Sequence, residues 1–373
     1  MEPSNAVAAA SHPDPYPYYR RLLAGPALAF DSGAGLWIAS RASVIDEVMA
    51  SPACRVRPAG EPVPTAIAGS NAGAIFAKLV RMNEGANHAH ARRAIDHAMQ
   101  MLDLAATGRR GAQLASTLAD RHGVPDGGAL TRWMFDLPTF VVADLLGFGE
   151  ADLPKVAQWT AAFVRCLSPL STPEQLADAS IAAQALGESI TRLLDHGKAD
   201  GLARRAAQFG WSDQEALVAN LVGLLSQTHE ATAGFIGNCV VALLAPTGMQ
   251  ERLRLDASLV QAFVQDVARC DPPVQNTRRF VVQPTTVAGV RLQPGDIILL
   301  LLAAGSHDEQ AQGKQYGFGR GHHACPGQDL AFVIAVSAVQ HLLALPQPLV
   351  AQTLRWTYAP SANARLPHFS TLP

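Results

Sequence analysis

Apolar positions recur at helical spacing through most of residues 74–345, in long runs rich in Ala and Leu. Gly147, Pro169, Pro173, Gly201, Pro246 and the pair Pro272-Pro273 break this pattern into separate helices, because glycine and proline disfavour a helix interior. One long apolar stretch, residues 214–244, runs without such a break. Near both ends of the chain the pattern is different. Residues 27–40 hold two β-prone runs on either side of Asp31-Ser32-Gly33-Ala34-Gly35, which predicts a hairpin, and residues 42–49 predict a helix after it. Further short β-prone runs at 279–282, 287–292 and 297–301 surround the turn signal Pro294-Gly295-Asp296. Asp14 and two prolines precede an amphipathic run and predict a capped helix start over 14–23, while residues 58–73 predict a Pro/Gly-rich loop. The expected fold is mainly α, with a small β portion formed from both ends of the sequence. Residues 1–12 are small and polar and are expected to be disordered; residues 13–373 show no repeat and no linker, and predict one domain.

Composition narrows the function classes. With 373 residues, 49% of them hydrophobic, the chain can bury a large core. Its 29 basic and 31 acidic residues nearly balance, so nothing points to nucleic acid as a partner. The cysteines Cys54, Cys166, Cys239, Cys270 and Cys325 are odd in number and lack the paired spacing of zinc or iron–sulfur sites, which suits a reducing cytoplasm. No basic segment followed by an apolar run opens the chain, and the longest apolar run, 297–304, is far short of the ~20 residues that span a bilayer. A cytoplasmic, monomeric protein with no membrane contact is the expectation.

One cysteine stands apart. Cys325 lies in Phe318-Gly319-Arg320-Gly321-His322-His323-Ala324-Cys325-Pro326-Gly327, just before a helix expected to start near Gln328. A thiol there meets the positive end of the helix dipole and free backbone N–H groups, which favour the thiolate. Thiolate sulfur donates strongly to ferric iron, and Gly321 and Gly327 let the backbone turn close to a flat macrocycle. His322 is read as a bystander. The pattern Phe-x-x-Gly-x-His-x-Cys-x-Gly resembles the signature of the cytochrome P450 family, in its soluble bacterial form. The helix start at 14–23, the Gly35-Leu36-Trp37-Ile38 strand and the Gly289-Val290-Arg291-Leu292 turn resemble further landmarks of that family, so the resemblance spans nearly the whole chain.

The resemblance implies a cytochrome P450-like fold over residues 13–373 and heme b (iron protoporphyrin IX) as cofactor, with Cys325 as metal ligand and Phe318, Gly321 and Gly327 around it. His88 and Arg92 sit one helical turn apart on one face, and in the family such a pair holds the heme propionates. Arg279 and His323 fall where the family places further propionate partners. Cations converging on two carboxylates at a partly buried edge make physical sense.

Two motifs depart from the family. Residues 214–244 resemble the helix that crosses the distal face of the heme, where the family reads Ala-Gly-x-acid-Thr. Aligned on His229-Glu230, this chain has Gln227 and Thr228 at the small pair and Ala231 at the hydroxyl. Glu230 alone is kept, and it is expected to help deliver protons. Thr232 is rotated about 100° from the expected place, and Thr228 is a competing hydroxyl. Gln227 is a candidate for ordering water or binding substrate. The second departure is Asp266-Val267-Ala268-Arg269, where the family has Glu-x-x-Arg; the arginine expected to join that pair is missing between His307 and Gly317.

The leading expectation is a heme-thiolate monooxygenase that oxidises a small organic molecule in specialised metabolism, with electrons from a separate ferredoxin and ferredoxin reductase. Two alternatives follow from Ala231: a peroxide-using or non-oxygenating heme-thiolate enzyme, and a degenerate heme-binding helper without catalysis. The substrate pocket is expected to be lined by the loop before the Ala74 helix, residues 167–172, the central helix and residues 274–277.

Overall fold

The two ends of the chain meet in one sheet. In the computed structural model, which describes residues 2–197 and 201–371, five strands lie in the order Leu28–Asp31, Leu36–Ala39, Ile297–Leu300, Thr277–Val281 and Cys54–Arg55. The first two form the predicted hairpin, with Leu28 opposite Ala39 and the turn closed by the Gly35 N–H donating to Asp31 O at 2.8 Å. Leu36–Ala39 then runs parallel to Ile297–Leu300, Trp37 opposite Ile298. A parallel pair needs a long crossover, and here the crossover is the whole helical body. Ile298, Leu299 and Leu300 are buried on both faces of the sheet, which explains their unbroken apolar run.

The helical body forms around Gln214–Leu244, whose start is capped by the Asp213 carboxylate accepting from Ala216 N–H at 3.1 Å. This helix is apolar nearly all round because other helices surround it, chiefly Gly127–Leu146, Gln328–Ala344 and Asn71–Lys78. Each Leu, Val or Phe buried there contributes about 1.5–3 kcal/mol relative to exposure. Gly127–Leu146 is capped by Asp126 and stopped by Gly147 in the left-handed region, φ 113°. Among the described residues no single helix is long and apolar enough to cross a membrane.

Three local expectations change. Residues 2–12, expected to be disordered, pack onto the sheet end: Asn5 Oδ1 accepts from Val7 and Ala8 N–H at 3.0 and 2.8 Å, Ala8–Ser11 forms a 3-10 turn, and Ala9 and Ala10 are fully buried. Small side chains suffice here because Tyr18, Tyr19 and Leu301 supply the bulk and Arg365 donates to the His12 and Pro13 carbonyls. The run 287–292 is not one strand but part of a hairpin, Thr285–Val287 with Val290–Leu292. The expected loop at 58–73 holds a 3-10 turn, Thr65–Ile67, and the first residues of Asn71–Lys78.

Candidate functional site

A cavity of about 760 Å³ lies between the central helix and the loop that precedes Gln328–Ala344. Its wall includes Gln227, Thr228, Glu230, Ala231 and Thr232 on one side, and Phe318, His323, Cys325 and Gly327 on the other; His88, Arg92 and Arg279 also reach it. Gly321 is the one residue of the expected constellation that does not line it.

The cysteine loop is held by its own backbone. Cys325 N–H donates to Phe318 O at 2.8 Å, Gly319 N–H to Tyr316 O at 2.8 Å, and Ala324 N–H to Gly321 O at 3.0 Å. Gly319 and Gly321 sit at φ +66° and +67°, where a side chain is disfavoured. The Phe318 ring meets Phe332 at 5.4 Å and Phe235 at 6.2 Å, which ties the loop to the following helix and to the central helix. Sγ of Cys325 is ringed by protein, and the surface it leaves bare faces the cavity. Burial pushes its thiol up, and this outweighs the Gly327 N–H and the Arg92 charge, which pull it down. The helix start therefore favours the thiolate less than the sequence predicts; desolvation wins until a cation binds the sulfur.

At one edge of the cavity the predicted cations converge. Burial, then the charges of His323, His322 and Arg92, holds His88 at about 4. Arg92 pairs with Asp96 at 2.7 Å and donates to His322 O at 2.7 Å. Arg279, 6% exposed, bonds the Arg278 carbonyl at 2.9 Å. Sequence reasoning missed the anion at the centre: Glu84 accepts from the Val56 N–H and lies 3.2 Å from both His323 Nε2 and His322 Nε2. Burial works to raise the Glu84 carboxyl, but the His323 bond and charge, the Val56 N–H and His322 hold it at about 2. His322 is thus no bystander: its ring stands 4.3 Å from His323 and its carbonyl orients Arg92. His88 is neutral near pH 7 and Arg92 is paired with Asp96, but Arg279 has no carboxylate partner among the described residues, so the edge can take further negative charge.

Across the cavity, Glu230 projects from the central helix and burial raises its carboxyl, with the Arg81 charge opposing. Gln227 Nε2 folds back onto Gly223 O at 3.0 Å, while Thr232 is buried and, like Thr228, has no side-chain hydrogen bond among the described residues. The preceding His229 points away from the cavity, into the core, with Nδ1 3.1 Å from Thr139 Oγ1. Asp266 and Arg269 do approach, at 3.6 Å, but on the surface and with no third partner among the described residues.

The other expected lining segments divide. Residues 167–171 and Val274, Asn276 and Thr277 line the cavity. The loop before Ala74 does not; its place is taken by the 3-10 turn Val80–Met82, which follows the Asn71–Lys78 helix, and by residues 360–364 near the end of the chain. Neither segment carries a motif, so only packing reveals them. A site with a cavity-facing sulfur, small backbone turns beside it and cations at one edge fits a flat iron macrocycle with two carboxylates, as in heme b.

No family model matches the chain. It is 28% identical to the cytochrome P450 monooxygenase PikC of Streptomyces venezuelae, over 88% of this chain and 83% of that protein. To the biotin biosynthesis cytochrome P450 of Bacillus subtilis it is 25% identical, over 62% of this chain and 63% of that protein, so the match spans under two thirds of this relative's length. Among solved structures it is similar to epothilone B-bound cytochrome P450epoK, TM-score 0.83 at 16% identity, covering 100% of this chain and 98% of the other. It is also similar to P450BioI in complex with hexadec-9Z-enoic acid ligated acyl carrier protein, TM-score 0.81 at 21% identity, covering 95% and 97%. The chain has the bacterial-type cytochrome P450 fold, and proteins of that family bind heme b.

Proposed function

On the premise of that fold, we propose that the chain is a heme-thiolate monooxygenase that oxidises a small organic molecule in specialised metabolism. The observation that carries this reading is Cys325 Sγ opening onto a cavity whose edge gathers His88, Arg92, Arg279 and His323. Those four hold the propionates, Cys325 ligates the iron, and Phe318, Gly321 and Gly327 shape the loop around it. Bound heme supplies the oxidising chemistry; the protein supplies position and charge.

The Gly327 N–H and the Arg92 cation stabilise negative charge on Sγ. Glu230, whose carboxyl is raised by desolvation against the opposing Arg81 charge, offers its carboxylate oxygens to take and release a proton. Thr228, Thr232 and Gln227 offer hydroxyl and amide groups that order water or substrate beside it. Electrons come from a separate ferredoxin and ferredoxin reductase, and the protein works as a cytoplasmic monomer.

The test is spectroscopic. The ferrous CO complex of the wild type is expected to show the red-shifted Soret band of thiolate ligation, and Cys325→Ser to lose it; an unchanged band in the variant refutes the ligand assignment. Ala231 supports a second reading, use of peroxide in place of dioxygen, since a methyl group lines the cavity where a relay hydroxyl is expected. Turnover with surrogate ferredoxin, reductase and dioxygen but none with hydrogen peroxide rejects that second reading.

A further inference from the structure

Besides Arg279, three arginines on the cavity wall, Arg81, Arg165 and Arg278, have no ion pair among the described residues, and of these Arg81 is the one whose charge acts on Glu230 of the central helix. Arg81 sits in the Val80–Met82 turn and lines the cavity, yet among the described residues it makes no hydrogen bond and no ion pair. Its side chain is exposed to the cavity, and the protein around that cavity works against its charge, with Glu230 opposing. A guanidinium does not escape that cost by losing its proton. It needs an anion.

The backbone of the turn is held by hydrogen bonds on both sides of Arg81. Val80 N–H donates to Asn220 Oδ1 at 2.7 Å, Asn220 Nδ2 donates to Lys78 O at 2.9 Å, and Asn83 Nδ2 donates to Ala77 O and Leu79 O at 2.9 and 2.8 Å. Asn220 is itself 2% exposed and belongs to the central helix. The carboxylate on which the Arg81 charge acts is Glu230, not Glu84, which separates Arg81 from the cations assigned to the propionates. Much of the cavity wall, including Val80, Val142, Val164, Leu167 and Leu224, is apolar.

We propose that Arg81 anchors the substrate through a carboxylate, so that the substrate class is a mainly apolar monocarboxylate. The planar fork of a guanidinium matches a carboxylate with two parallel hydrogen bonds. A monoanion matches the single positive charge of Arg81, whereas a dianion such as a phosphate monoester leaves a charge unpaired, and the apolar walls take the remainder of the molecule. This deepens the monooxygenase reading and rests on it for the reaction, though not for the binding.

The experiment titrates heme-loaded protein by calorimetry with octanoate, methyl octanoate and octan-1-ol. The wild type is expected to bind octanoate at least tenfold more tightly than the ester or the alcohol. Arg81→Gln is expected to erase that preference with the CO-complex spectrum unchanged, and Arg81→Lys to keep part of it. The proposal is overturned if Arg81→Gln retains the preference, if the ester binds as well as the acid, or if the wild type does not bind octanoate at millimolar concentration. Loss of heme from Arg81→Gln also overturns it, because Arg81 then serves a propionate. A wild type without the thiolate spectrum refutes the heme reading instead, while calorimetry still decides the carboxylate preference.

Discussion

Replacing His229 with glutamine removes a buried imidazole from the central helix and alters how stability depends on pH. His229 is 5% exposed, and burial holds it at about 4. In the unfolded chain a histidine titrates near 6.5. Its folded value is therefore depressed: the unfolded chain binds more protons between those two values, and stability rises with pH across that window. The contribution is fully present above about pH 6.5 and lost as pH falls toward 4. The difference of about 2.5 pH units, at about 1.4 kcal/mol per unit, amounts to about 3.5 kcal/mol, of which about 2.5 kcal/mol is lost by about pH 4.5. His229→Gln keeps a polar partner for the Thr139 hydroxyl, which lies 3.1 Å from Nδ1, but does not titrate. Urea unfolding of both proteins at several pH values isolates the effect, because His88, Glu84 and every other group common to both cancels in the difference. The variant is expected to gain about 2.5 kcal/mol relative to the wild type between about pH 8 and pH 4.5. A difference that stays level within about 0.5 kcal/mol refutes the reasoning, and shows that the ring is solvated or protonated in the folded protein.

Two further predictions concern the end of the chain. Arg365 Nε lies 2.8 Å from Asp271, which Tyr16 also bonds, and the guanidinium stacks 3.7 Å over the Tyr358 ring. Arg365→Leu leaves that buried carboxyl without its cation and is expected to cost about 3–5 kcal/mol in denaturant unfolding, with partial recovery when Asp271→Asn is added; equal losses in the single and double variants refute the pairing. At Gly127, an added Cβ would stand 2.4 Å from the Ser370 carbonyl carbon and 2.6 Å from Thr371 N, both backbone. Gly127→Ala is expected to lose about 1–3 kcal/mol by thermal unfolding, since a strand has to move; an unchanged midpoint shows that the strand does not pack there.

The sequence by itself determined the element types, the long central helix at its observed bounds, the meeting of both chain ends in one sheet, and Cys325 with its glycine turns. These are local matters: helical period, turn residues and a ten-residue loop carry their own physical reasons. It also singled out His88, Arg92, Arg279 and His323, and the structure brings them to one edge of the cavity. Tertiary packing alone decided the rest. Glu84 became the hub of that edge because a loop from residue 56 and the histidine pair from residues 322 and 323 close around it. The thiol of Cys325 rose rather than fell because desolvation, which depends on every neighbour, outweighs the end of one helix. Residues 2–12 became ordered because a distant arginine and a tyrosine pair received them, and Arg81 entered the cavity because Asn220, 139 positions away in sequence, fixes its turn. Burial and charge in a cavity are sums over residues far apart in the chain, and no local pattern encodes them.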